Sequence, residues 1–286
     1  MKDPVNDCRE GGPGSINFNP LNHSVCLDYP IWYEQSAWTE HIPFGMYLVS
    51  ALRPRVFVEL GVFRGVSYCA FCQAVKKLNL ATRCHGVDSW RGDGQAGDVA
   101  EAELARLQGH HGPLYGSFSE LMRSAFDDAV ESFSDESIDL LHIDGFHSYD
   151  AAKHDFETWQ RKLSNRSVVL FHDVNVRQRE FGVWKYWEEI SGRFKSMTFF
   201  HGHGLGVLGV GAELPADVEA LFALDATELP AARSFFREMG ERKDALDKHR
   251  RQSEEIARRN SNARLVRALK LERPLAWVKR ATHRQK

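Results

Sequence analysis

Asp144, His147 and Asp173 are the residue types that take a proton from a hydroxyl and gather oxygen ligands. Asp144 closes the apolar run of residues 138–143, His147 follows three positions later, and Asp173 closes a second apolar run, residues 167–172. An imidazole with a reference pKa of about 6.5 accepts a proton near neutral pH. Two carboxylates at strand ends can hold a hard divalent ion through oxygen ligands, or place an acceptor directly. Upstream, Glu59-Leu60-Gly61-Val62-Phe63-Arg64-Gly65 sets two glycines behind a carboxylate, so backbone can approach a ligand closely where a helix start presents free amides. Asp88 ends the next apolar run, where an acid can accept from both hydroxyls of a ribose. A lone G-x-x-x-G loop has little specificity, because a dehydrogenase fingerprint needs G-x-G-x-x-G.

Those residues need strands to end on them. Val56–Leu60, Cys84–Asp88, 138–144 and 167–173 read as strands, each delivering an acid or glycine at its carboxyl end. A helix is expected over Trp38–Leu52, stopped by Pro54, and another from Gly65 to about Leu78. Tyr149, Ala152, Phe156, Trp159 and Leu163 are spaced as the apolar stripe of a helix capped by Ser148. Residues 198–200 and 205–210 are joined by too short a turn for a parallel crossover, so they form an antiparallel hairpin. The sum is an α/β protein: a doubly wound, Rossmann-like, mostly parallel sheet with a C-terminal hairpin and a helical tail. Ligands of such sheets bind at the carboxyl ends of the strands.

The 286 residues are 43% hydrophobic and 27% charged, as in a globular chain and unlike a collagenous or disordered one. No run of 18 apolar residues reads as membrane-spanning, and the first residues lack the apolar core of a secretory signal. The five cysteines fit no disulfide framework, so a cytoplasmic setting is expected; Cys69 and Cys72 read as helix packing rather than a redox pair. Net charge is −2, yet residues 242–286 carry 15 Lys/Arg against 5 Asp/Glu. The remaining acidic body argues against a nucleic-acid partner. Three regions are expected: a mobile lead-in over 1–35, a main domain over 36–215, and a basic helical extension over 216–286.

The sequence resembles class I S-adenosylmethionine (SAM)-dependent methyltransferases, especially those of bacterial glycan synthesis. The matching text is Trp38-Thr39-Glu40-His41-Ile42-Pro43-Phe44, Val58–Gly65, Val87-Asp88-Ser89-Trp90-Arg91-Gly92-Asp93 and Ile143-Asp144-Gly145-Phe146-His147-Ser148-Tyr149, within residues 36–211. The resemblance implies that Glu59, Gly61 and Gly65 meet the methionine end of SAM, directly or through backbone, and that Asp88 takes the ribose. It places Trp90, or Ser117 and Phe118 after the third strand, beside adenine. It is also similar to catechol-type O-methyltransferases, which pair an Asp with a basic residue three positions on and add an Asp-Asn pair that binds magnesium. Asp144 and Asp173 match, and His147 stands where those enzymes carry Lys; Val174 stands where the Asn is expected, with Asn175 one position late and His172 just before.

The expected activity is O-methylation of a sugar or glycan hydroxyl, with His147 as base and Asp144 and Asp173 placing a divalent cation such as Mg2+ or the acceptor. The alternatives are an N-methyltransferase of an amino sugar or small amine, and a non-catalytic scaffold that keeps the fold. His201 and His203 flank the hairpin turn, where either could meet an acceptor, although solvated turn residues are the simpler reading. For the basic tail, docking to a partner enzyme or self-association is weighed against a peripheral contact with an anionic membrane bearing lipid-linked glycan.

Overall fold

The computed structural model describes residues 18–91, 97–178 and 180–281. In chain order the elements are α1 (Ile42–Leu52), β1 (Val56–Leu60), α2 (Val66–Lys77), β2 (Arg83–Asp88), α3 (Gly97–Tyr115), β3 (Ser119–Arg123) and α4 (Phe126–Ala129). There follow β4 (Ile138–Ile143), α5 (Tyr149–Trp159), β5 (Leu163–His172), α6 (Val183–Ile190), β6 (Lys195–Phe199), β7 (Leu205–Gly209), α7 (Ala216–Phe222) and α8 (Glu228–Ala281).

The described strands form one sheet in the order β3-β2-β1-β4-β5-β7-β6. β1 to β5 pair in parallel, β7 runs antiparallel to β5, and β6 and β7 pair antiparallel, as the short turn between them required. This is the expected doubly wound, mostly parallel sheet with a C-terminal hairpin. Strands buried on both faces send alternate side chains to two cores. Phe57, Leu140 and Leu170 face the layer holding α1 and α2, with Ile42, Phe44 and Phe71. Val58, Leu141, Val169 and Phe171 face the layer of α5 and α6, with Phe156, Trp159 and Trp187. Ser148 caps α5 as expected, its hydroxyl accepting from the Ala151 amide at 3.1 Å. That helix stops at Trp159, and Leu163 instead opens β5.

Several expectations change. Residues 18–35, read as part of a mobile lead-in, pack against the body: Val25 and Cys26 are buried, and the Ile31 amide donates to Gln73 Oε1 at 2.7 Å. Residues 1–17 lie outside the described residues. The compact unit ends at Glu241 rather than 215, because α8 returns Phe236 to the core against Phe44 and Tyr47. Residues 242–286 form a separate unit. Along its helix, pairs such as Glu255–Arg259 sit one turn apart. Leu275, Trp277 and Val278, apolar residues that a membrane contact of the tail would use, have side chains outside those described. Among the described residues no helix is long and apolar enough to cross a membrane.

Candidate functional site

A cleft of about 730 Å³ opens at the carboxyl ends of β1, β2, β4 and β5. Its floor is the loop after β1. Gly61 has φ +94°, and a Cβ there would lie 2.0 Å from the Asp144 carbonyl oxygen, so only glycine fits between β1 and β4. The strand ends are tied across this point by Asp144 N to Leu60 O (2.8 Å) and Gly61 N to Val87 O (2.9 Å). Gly65, at φ +73°, is the N-cap of α2, where a Cβ would strike Leu107.

Asp88 lines the cleft, and its two carboxylate oxygens accept the amides of Phe63 (2.9 Å) and Trp90 (2.8 Å). It therefore clips the loop after β1 to the end of β2, with lone pairs left for ligand hydroxyls. Three expected cofactor contacts fall elsewhere. Trp90 is buried beneath the loop, its indole donating to the Phe63 carbonyl at 3.0 Å, and Ser89 rather than Trp90 reaches the cleft. Ser117 and Phe118 precede β3 instead of following it, which puts them at the opposite end of the sheet. The strand Ser119–Arg123 is a partly exposed edge strand, so it lacks the apolar run that marks the others.

Glu59 is fully buried and does not line the cleft. One oxygen accepts from the Ser67 hydroxyl at 2.7 Å, and the other meets His142 Nδ1 at 3.0 Å. The Trp38 indole N–H donates to His142 Nε2 at 3.1 Å, so the neutral His142 carries its proton on Nδ1 and donates to Glu59. Burial pushes the Glu59 carboxyl up, opposed by His142 and Ser67. Glu59 thus holds two residues that do line the cleft, Ser67 and Trp38. The sequence motif around Trp38 was visible, but its partner His142 sits mid-strand in an apolar run and carried no signal.

At the other side of the cleft, Asp173 ends β5 in a left-handed conformation (φ +61°) and is almost fully buried. Three imidazoles converge on its carboxylate. His147 Nε2 lies 3.0 Å from Oδ2, His203 Nδ1 lies 3.0 Å from Oδ1, and His172 Nδ1 lies 3.4 Å from Oδ2. His172 Nδ1 also meets Asp144 Oδ1 at 3.2 Å, while its Nε2 donates to the Gly202 carbonyl at 3.0 Å. Both ring nitrogens of His172 therefore face acceptors. Burial opposes its charge, but the two carboxylates win and raise it to about 10. Burial likewise opposes ionisation of Asp173 and Asp144, yet the neighbouring histidines hold both carboxyls below the usual range. His147 is raised, chiefly by its hydrogen bond to Asp173.

The sequence-level site residues Asp144, His147 and Asp173 are thus brought together, and one donor atom from each lies within 4.8 Å of the others. Asn175 does not join them, since its side-chain amide donates to the Phe200 carbonyl at 2.9 Å. His172 and His203 join them; the His-Asp step in the sequence was the one hint of the first, and for His203 an acceptor contact was the less simple of two readings. Phe181 stacks on the His147 ring at 4.6 Å, positioned by the Gly182 amide donating to the His147 carbonyl at 2.7 Å. Phe146, 81% exposed, lines the cleft beside it.

Residues 58–174 match a family model described as a methyltransferase domain. An uncharacterized protein of Sinorhizobium fredii is 50% identical over 192 residues, which cover 67% of this chain and 21% of that protein. The chain thus spans about a fifth of the length of that relative. Among solved structures, the SAH-bound methyltransferase PaMTH1 of Podospora anserina aligns with TM-score 0.46 and 12% identity, over 59% of this chain and 76% of its own. The SAM-bound O-methyltransferase TomG of Streptomyces achromogenes aligns with TM-score 0.43 and 15% identity, over 67% and 89%. An SAH-bound O-methyltransferase of Bacillus cereus aligns with TM-score 0.43 and 14% identity, over 66% and 88%.

Proposed function

We propose that this chain is a SAM-dependent O-methyltransferase whose acceptor is a hydroxyl of a sugar or glycan. The observation that carries the reading is the His147–Asp173 pair at 3.0 Å, set on the wall of a cleft whose floor is the Gly61–Gly65 loop. The methyltransferase-domain match covers both. The loop and cleft fit the cofactor. Gly61 and Gly65 let the loop turn tightly against β4 and α3, the start of α2 presents backbone amides to a carboxylate, and Asp88 can take two ribose hydroxyls. Bound SAM would supply a methyl group on a sulfonium, whose carbon–sulfur bond breaks with its electron pair going to sulfur as the acceptor oxygen takes the carbon.

The chain's own residues would do the rest. An ionised Asp173 can only accept, so His147 donates to it through Nε2 and keeps the lone pair on Nδ1. That nitrogen takes the hydroxyl proton as the new bond to oxygen forms, and Asp173 stabilises the resulting imidazolium. Phe181 fixes the ring plane from one side. Phe146 and Phe181 offer apolar faces to a sugar ring, and the imidazoles offer hydrogen bonds to its hydroxyls. The similarity of the motifs to glycan-cluster methyltransferases supports the same class.

A metal-assisted variant is the second reading, favoured by the grouping of Asp144, His147 and Asp173. Two carboxylates and an imidazole fit a divalent cation, which would lower the pKa of a coordinated hydroxyl. Calorimetric titration with SAM, with magnesium and again with a chelator, tests the cofactor. Methyl transfer from labelled SAM to a panel of methyl glycosides under both conditions tests the acceptor and the metal. Micromolar binding with chelator-resistant turnover supports the His147 mechanism; turnover lost to the chelator and restored by metal selects the second reading. Failure to bind SAM in either condition overturns both.

A further inference from the structure

The turn between β6 and β7 is built with unusual constraint for a hairpin tip. Gly202, His203 and Gly204 are all left-handed, at φ +53°, +67° and +90°. For His203 that conformation is disfavoured and persists only where the surroundings impose it. They do so from several sides. The Gly202 carbonyl accepts from both His172 Nε2 (3.0 Å) and His41 Nε2 (3.1 Å), and a Cβ on Gly202 would lie 2.5 Å from the Ala37 carbonyl. The Asn175 amide donates to the His203 carbonyl at 2.9 Å, and the Gly204 amide to the His201 carbonyl at 2.7 Å. A solvated turn needs none of this. Its effect is to carry the His203 ring into the cleft, 58% exposed, with Nδ1 3.0 Å from Asp173 Oδ1.

We propose that His203 is a second acceptor-binding imidazole, and that the acceptor is a polyhydroxylated ring presenting two neighbouring hydroxyl groups, one to His147 and one to His203. The proposal rests on the methyl-transfer reading above. One carboxylate orients both rings through different oxygens: Oδ2 holds His147 and Oδ1 holds His203. Because the carboxylate accepts, His203 donates through Nδ1 and keeps its lone pair on Nε2, while His147 keeps its own on Nδ1. Among the described residues neither of these two nitrogens has a protein partner. Two such lone pairs, on rings that line one cleft, select hydrogen-bond donors. A hydroxyl beside the reacting one satisfies His203, whereas an ether or carbonyl in that place opposes lone pair to lone pair. Sites built to bind a substrate hydroxyl discriminate strongly against analogues that lack it.

The test has two arms. The first is long-range proton–nitrogen NMR of histidine-labelled, SAH-bound, chelator-treated protein, at a pH where both rings are neutral, with H147A and H203A used for assignment. The expected result is the Nδ1–H tautomer for His203 and the Nε2–H tautomer for His147. An Nε2–H or solvent-averaged His203 overturns the proposal. The second arm compares methyl α-D-mannopyranoside and other methyl glycosides with their monodeoxy counterparts as acceptors of labelled methyl. For any glycoside that turns over, loss of the neighbouring hydroxyl should raise KM about tenfold in the native enzyme. H203A should raise KM for the diol to the same degree, with SAM affinity little changed, and add nothing to KM on the deoxy acceptor. An unchanged KM in H203A overturns the proposal. If SAM binds but no glycoside reacts, the sugar reading fails, and the tautomer result still decides the assignment of His203.

Discussion

His147 and Asp173 meet at 3.0 Å although they follow different strands, one in the loop after β4 and the other at the end of β5. Adjacent parallel strands bring their carboxyl ends side by side, so an acid closing one strand falls within reach of the loop leaving its neighbour. The pair has the form of an orienting carboxylate and a base.

The first expected consequence concerns turnover. Replacing His147 by Ala should lower kcat by roughly 10²–10⁴-fold, the usual contribution of a positioned base. SAM affinity should stay within about twofold, because the ring lies off the Gly61–Gly65 loop. Calorimetry and initial rates separate the two; a variant with native kcat removes His147 from the chemistry.

The pH profile follows from the same pair. The base form of His147 is neutral, and the Asp173 carboxylate raises its pKa above the ordinary 6.5. Activity should therefore rise with pH through a midpoint above 6.5. D173N removes the charge that favours the imidazolium, so its midpoint should move to lower pH while the maximal rate falls. An acid limb that D173N leaves in place would assign the titration to another group.

Glu59 should prove to be a positioning residue rather than a ligand contact. In E59Q one side-chain atom can still accept from Ser67, but the amide then faces the donating Nδ1–H of His142. A buried donor left without an acceptor costs about 2 kcal/mol. For a domain of this size that lowers the melting temperature by roughly 4–8 °C. Thermal unfolding, with and without SAM, measures it; a melting temperature equal to the native one contradicts the network.

Two glycines offer a matched comparison. G61A forces a Cβ to within 2.0 Å of the Asp144 carbonyl at a positive φ, so it should lose SAM binding and several kcal/mol of stability. G109A, in α3 with nothing near its Cβ, should be neutral or stabilising by up to about 1 kcal/mol. Chemical denaturation of both variants reads the difference directly, and similar stabilities would mean that the β1–β4 junction is looser than described.

Much of this architecture was legible in the chain itself. Strands buried on both faces must be short and apolar, and the residue that ends each stands out because it is polar; Asp88, Asp144 and Asp173 were visible for that reason. The short link between residues 200 and 204 left an antiparallel hairpin as the only pairing. Spacing alone also put His147 one turn-length from Asp144. What the chain could not announce were features set by contacts distant in sequence. The edge strand β3 is half-exposed and lacks the apolar pattern, so Ser117 and Phe118 were assigned to the wrong end of the sheet. The partner that the buried Glu59 carboxylate needs is His142, 83 positions away, which no local pattern links to it. His203 read as a turn residue because nothing local links it to Asp173, 30 positions earlier. Local sequence determined where strands end and which chemistry stands there, because burial and periodicity act over a few residues. Only the folded sheet decided which of those groups share a proton and which face the cleft, because β5, β7 and the returning hairpin meet through long-range pairing.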